Sequence, residues 1–121
     1  AAIKRSPDVD SMYQHYLRHP GGGEPLPAMA YFCLTKLEQM AGGRDAAARF
    51  GISKRVLRCI ADLSTNKGGD YARKAVGHAA PHTPEEESFL RSAIKTLIHR
   101  AAEVDSGPHP ALTKISLADF R

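Results

Sequence analysis

Cysteine is scarce in this chain. Cys33 and Cys59 are the only two in 121 residues, and both sit inside helical patterns, so no disulfide framework is expected and a reducing cytoplasm is the default compartment. No apolar run approaches the roughly 20 residues of a membrane span, and the N-terminus lacks a signal peptide's apolar centre. A membrane partner is therefore not expected. Strand patterning is almost absent: only Leu112 to Leu117 alternates with period two, too short to build a sheet, and no internal repeat is present. The first residue is Ala1 rather than Met, which fits a processed start or a segment of a longer protein.

The constellations that carry metal or covalent chemistry are also missing. His15 and His19 lie four apart, as do His78 and His82, and two imidazoles at that spacing can bind zinc or nickel. No Cys or carboxylate completes either set, and Pro20 and Pro81 disturb the local geometry, so solvated histidine is the better account and no metal or other cofactor is expected. Glu85, Glu86 and Glu87 have a sufficient role in starting a helix. Arg91 and His99 resemble the Arg–His pair of helical HEPN-class ribonucleases, but the seven residues between them exceed that motif's gap. The chain reads as a non-enzyme.

What is present is helix. With 42% apolar and 25% charged residues in 121, the sequence is long enough for one domain with its own core. The expected fold is all-α, a compact bundle of five or six helices with no significant sheet. Ser6-Pro7 opens an N-terminal helix over 7–19, with Val9, Met12, Tyr13, Tyr16 and Leu17 at helical spacing. A Gly/Pro loop fills 20–27, with GGGEPLP over 21–27. A tri-helical core is expected over 28–64, beginning with an apolar helix that carries Ala30, Leu34, Leu37 and Ala41 on one face and ends at Gly42-Gly43. A basic turn and short helix follow over 66–76. At Thr83 the pattern TPEE is a capping box that opens a long helix over 83–105, with Leu90, Ile94, Leu97, Ala101 and Val104 on its buried stripe. The tail, 111–121, is expected to dock Leu112, Ile115, Leu117 and Phe120 on the bundle, as a short helix or an extended arm.

Charge is uneven. Between Arg44 and Lys74 stand eight basic residues (Arg44, Arg49, Lys54, Arg55, Arg58, Lys67, Arg73 and Lys74) against Asp45, Asp62 and Asp70. This block carries +5 and leaves −1 for the remainder of a chain whose total is +4. Such a block suits an anionic partner, nucleic acid first.

The centre of that block, GRDAAARFGISKRVLRCIAD over residues 43–62, carries two short helices joined by a Gly-Ile-Ser turn. Ala46, Phe50, Ile52, Leu57 and Ile60 fall at apolar positions, Ala47 where two crossing helices need a small residue, and Gly51 where the turn needs positive φ. Ser53 can cap the second helix. The stretch resembles the helix-turn-helix class of DNA-binding modules over these residues; the remaining helices look like helical parts of uncharacterised bacterial proteins, a likeness that brings no function.

The resemblance makes the second helix, about Ser53 to Leu63, the one that enters the major groove. Leu57, Ile60, Ala61 and Ser64 would face the bundle, with Val56 and Leu63 at the edge, and Lys54, Arg55, Arg58 and Asp62 would face outward. Arg55 and Arg58 suit guanine O6 and N7, while Lys54 and Ser53 suit phosphate or base edges. Arg44 and Arg49 would touch the backbone, and Lys67, Arg73 and Lys74 would extend the phosphate footprint. Asp62, on the same face, opposes this reading. The expected function is a small DNA-binding or regulatory protein. The alternative is a non-enzymatic interaction or homo-oligomerisation domain, a homodimer using an apolar patch of Tyr13, Tyr16, Met29, Tyr31 and Phe32.

Overall fold

The computed structural model describes residues 6–19, 25–42, 46–65, 83–105 and 113–120. Among them are five α-helices and one closing 3-10 turn: α1 (Pro7–Arg18), α2 (Leu26–Met40), α3 (Ala46–Phe50), α4 (Lys54–Thr65), α5 (Pro84–Asp105) and the turn Leu117–Phe120. The described chain is all-α, and no strand forms in it. The short basic helix expected within 66–76 lies outside the described residues.

Each helix end follows from local chemistry. Ser6 Oγ accepts the Val9 N–H at 3.2 Å, and Pro7 occupies the first helical position, where a missing N–H costs nothing. Thr83 and Glu86 form a reciprocal capping box: Glu86 N–H donates to Thr83 Oγ1 at 3.1 Å and Thr83 N–H to Glu86 Oε1 at 2.9 Å. Helix α2 ends at Gly42, whose φ of 66° lets its N–H reach back to the Gln39 carbonyl at 2.9 Å. Its start differs from expectation. The 20–27 loop gives up two residues, because α2 begins at Leu26 with Pro25 as its cap residue and Pro27 in the first turn. A proline there removes only an N–H that has no intrahelical partner, so Pro27 belongs to the helix it was expected to precede.

The core is built by α2 and α5. Helix α2 packs on α1, α4 and α5, and α5 also receives α1, α3, α4 and the closing turn. Val9, Met12, Met29, Cys33, Leu37, Phe50, Val56, Ile60, Leu90, Ile94 and Leu97 are fully buried. The Cys33 thiol donates to the Met12 carbonyl at 3.6 Å, and Lys36 pairs with Asp8 at 3.4 Å, so α1 is fixed on α2 by packing and by both contacts. The five residues expected to make one exposed apolar patch do not: Met29 is in the core and Tyr16 and Phe32 are half-buried against it, because α1 lies over that part of α2. Tyr13 and Leu17 are the exposed large hydrophobics among the described residues.

The tail combines both expected forms. Ile115 pairs with Ile52 in a single parallel bridge, after which Leu117–Phe120 coils into a 3-10 turn. Phe120 then meets Phe89 of α5 edge-on, with ring centroids 5.4 Å apart.

Candidate nucleic-acid interface

Helices α3 and α4 meet at Gly51-Ile52-Ser53. Gly51 has φ 64°, a left-handed conformation in which a side chain would be strained, and Ile52 N–H donates to the Ala47 carbonyl at 3.0 Å. That bond, closing six residues around a left-handed glycine, is a Schellman motif and ends α3 sharply. Ile52 then turns fully inward. Ser53 begins α4 by accepting the Arg55 N–H on its Oγ at 3.2 Å and the Val56 N–H on its carbonyl at 3.1 Å.

The buried stripe of α4 is Val56, Ile60 and Ser64, each fully buried and one turn apart. Ser64 is admitted because its Oγ donates to the Ile60 carbonyl at 2.7 Å. Leu57, Ala61 and Leu63 are only partly buried. Val56, expected at the edge of the apolar face, is thus at its centre, because α4 rests on both α2 and α5.

Opposite this stripe, Lys54, Arg55, Arg58 and Asp62 are all exposed. At 100° per residue they share an arc of about 100°. Lys54 and Arg55 occupy the first turn of α4, which contains no acidic residue. Cations there oppose the helix dipole, whose positive end favours anions. Two other helix starts follow the opposite rule, with Asp8 and Asp10 in the first turn of α1 and Glu85, Glu86 and Glu87 in that of α5, while α2 opens with no acidic residue. Arg55 and Arg58 pair with no carboxylate among the described residues, Asp62 included.

Arg49 belongs to different surroundings. It is exposed at the end of α3 and lies 5.8 Å from the Phe50 ring centroid, beside a recess of about 120 Å³ that Asp8 and Asp105 also line. Carboxylates beside it weaken its attraction for a phosphate backbone. Arg44, Lys67, Arg73 and Lys74 lie outside the described residues.

The residue that organises this region went unnoticed in the sequence. Arg100, on α5, is 8% exposed. Its Nη1 donates to the Phe50 carbonyl at 2.7 Å and the Gly51 carbonyl at 3.1 Å, and its Nη2 to the Thr113 carbonyl at 2.8 Å. One guanidinium therefore satisfies the open end of α3 and ties the tail to the turn. The tail completes the clasp: Ser53 N–H donates to the Ile115 carbonyl at 2.7 Å, and Ile115 N–H to the Gly51 carbonyl at 2.9 Å. Arg100 follows Leu97 by three and Ala93 by seven on the buried side of α5, so a lone cation inside the apolar stripe was the available signal.

The histidines that invited a metal reading are engaged otherwise. The His15 ring stacks on Phe32 with centroids 3.6 Å apart, and His19 Nε2 accepts from Arg91 Nε at 3.2 Å. Arg91 also contacts Glu87 at 3.2 Å. No group of three potential metal ligands occurs among the described residues; His78 and His82 lie outside them. No helix there is long and apolar enough to cross a membrane.

No protein-family model matches the chain, and no curated protein or solved structure does.

Proposed function

We propose that this protein binds duplex DNA in the cytoplasm as a small regulatory module, with α3, the Gly51 turn and α4 acting as a helix-turn-helix and α4 as its groove-facing helix. The observation that carries the reading is the exposed cationic arc of Lys54, Arg55 and Arg58 at the start of α4, where helix electrostatics favour acids. Residues that work against their own helix are expected where a partner compensates them. A phosphate oxygen does so, drawn by the dipole and the two first-turn cations together. Arg58, one turn further along, has the fork geometry for guanine O6 and N7. Asp62 sits at the distal end of the arc, where it disfavours a long phosphate track and restricts contact to the first two turns.

The test is electrophoretic retardation of random-sequence duplex across a salt series. With about four phosphate contacts, log affinity should fall against log salt with a slope near −3.6. Arg58→Ala should weaken the preferred sequence by about 1–3 kcal/mol and relax preference at one base pair, whereas Lys54→Ala should weaken all sequences alike and flatten the slope. These side chains are exposed, so neither change should lower the thermal midpoint, and Lys54→Ala, which removes a first-turn cation, should raise it slightly. Failure of the wild-type chain to retard any duplex at about 50 mM salt rejects the reading.

A second reading, a helical module that associates with itself, is favoured by Tyr13 and Leu17. They are 36% and 50% exposed and lie one turn apart on α1. It takes precedence if duplex binding is absent.

A further inference from the structure

Helices α1 and α5 leave a cleft between them on a surface that none of the proposed DNA contacts lines. Its volume is about 300 Å³, and it is lined by Val9, Tyr13, Tyr16, Lys95, Ile98, His99 and Ala102. These residues sort by chemistry. Val9, Ile98 and Ala102 are buried and form an apolar floor. Tyr13 and Tyr16, one turn apart on α1, hold their rings nearly parallel, 17° between planes with centroids 6.5 Å apart. Lys95 and His99, one turn apart on α5, are both exposed and supply the cationic and hydrogen-bonding rim. No carboxylate is among the lining residues, and Lys95 makes no ion pair among the described residues.

An apolar floor, an aromatic wall and a few convergent polar groups are what a small-molecule site presents. We infer that this cleft binds a single-ring aromatic carboxylate, its ring on the Val9–Ile98–Ala102 floor against the tyrosines and its carboxylate at Lys95 Nζ and His99. The volume lies at the lower end of ligand pockets, which suits one ring and is too small for a dinucleotide. Charge sets the rest. A cationic ligand would meet Lys95 without a compensating acid, and an uncharged one would leave the ammonium unpaired at the edge of a partly apolar site. A carboxylate pairs with that ammonium in a charge-assisted hydrogen bond, and the flat ring gains the stacking that the tyrosine faces offer. Tyr13, an exposed wall of the cleft, is covered once a ring lies against it.

The experiment is an amide chemical-shift titration of the whole chain with benzoate, alongside benzamide and cyclohexanecarboxylate as probes that lack the charge or the aromatic ring. Benzoate should saturate with a dissociation constant of about a millimolar or tighter. Shifts should be confined to residues near 9–16 and 95–102. Benzamide and cyclohexanecarboxylate should each bind about tenfold more weakly, as should benzoate to Lys95→Gln. Lys95 is exposed and makes no ion pair among the described residues, so Lys95→Gln should leave the thermal midpoint in place, separating loss of the site from loss of the fold. Equal binding of benzoate and benzamide, unchanged affinity in Lys95→Gln, or no shifts at about 10 mM benzoate would each overturn the proposal. The DNA titration addresses different residues, so either reading can fail while the other stands.

Discussion

Replacing Arg100 with Met tests whether the turn between α3 and α4 is held by the guanidinium or only by packing. Met is close to Arg in reach and can keep the side chain's apolar stem in contact with the core. What it removes are the donors to the Phe50, Gly51 and Thr113 carbonyls. Gly51 keeps a second donor, the Ile115 N–H at 2.9 Å, so its loss is partial. Phe50, at the end of a five-residue helix, loses the donor to a buried carbonyl, whereas Thr113 is exposed and its carbonyl can turn to water. A buried acceptor left without a partner costs about 1–3 kcal/mol. One such loss, with the smaller ones at Gly51 and Thr113, sets a gross cost of about 2–4 kcal/mol. Against it stands the relief of burying a cation that is poorly paired. Glu103 Oε1 is 3.8 Å from Nε, within ion-pair reach but too far for a hydrogen bond, and that carboxylate is itself 44% exposed. Nε makes no hydrogen bond among the described residues. Removing a weakly compensated buried charge returns about 1–3 kcal/mol of desolvation. The expected net loss for Arg100→Met is therefore about 1 kcal/mol, read as a lowered urea midpoint with an unchanged slope in circular dichroism. Arg100→Lys should lose a comparable amount, because one ammonium cannot span three carbonyls in the guanidinium's plane. A midpoint unchanged or raised in Arg100→Met would refute the reasoning, since packing alone would then hold the clasp.

Two further stability measurements check the helix ends. Thr83→Ala removes the acceptor for the Glu86 N–H and should cost about 1 kcal/mol in the same urea titration; no change would mean that α5 is held by its core face alone. Gly42→Ala places a Cβ where no atom lies within 4 Å, so its cost reflects only the left-handed backbone at φ 66° and should be about 1 kcal/mol. Gly42→Asn should recover much of that loss, and equal costs for Ala and Asn would point instead to a side-chain clash.

Local signals were legible in the sequence wherever the decisive contact is short-range. The Thr83–Glu86 box, the Ser6 cap, the glycine at the α3–α4 turn and the outward face of Lys54, Arg55 and Arg58 all involve partners within a few residues or one helical period. Pro27 was misread because a proline beside glycines reads as a loop, although the first turn of a helix tolerates it equally well. Val56 was set at an edge because periodicity defines an apolar arc but not which two neighbours it wedges between. Arg100 joins residues fifty positions apart, to the Phe50 carbonyl, and no local pattern records a partner that is a backbone oxygen. The α1–α5 cleft was hidden for the same reason. In sequence Tyr13 and Tyr16 stand out only as a helix face or an apolar patch, His99 only beside Arg91, and Lys95 not at all; the fold sets the four beside one another.

A helix that reads a groove must be presented at a fixed angle, since small displacements of its side chains forfeit bidentate geometry. Helix α3 is only five residues long and cannot fix that angle by its own stability. Its rigidity is supplied from outside, by Phe50 and Ile52 buried in the core, by Arg100 on the carbonyls of the turn, and by the Ile52–Ile115 bridge. The consequence is that the tail belongs to the α3–α4 unit although it is sixty residues away in sequence. Ser53, which caps α4 with its side chain, has its own N–H held by the Ile115 carbonyl, so the cap and the tail fix the same residue. Orientation of Lys54, Arg55 and Arg58 thus depends on the clasp at their helix's first residue, and under the proposed DNA reading loosening that clasp should blur sequence preference before it weakens attraction for phosphate, because charge acts at a distance and base reading does not.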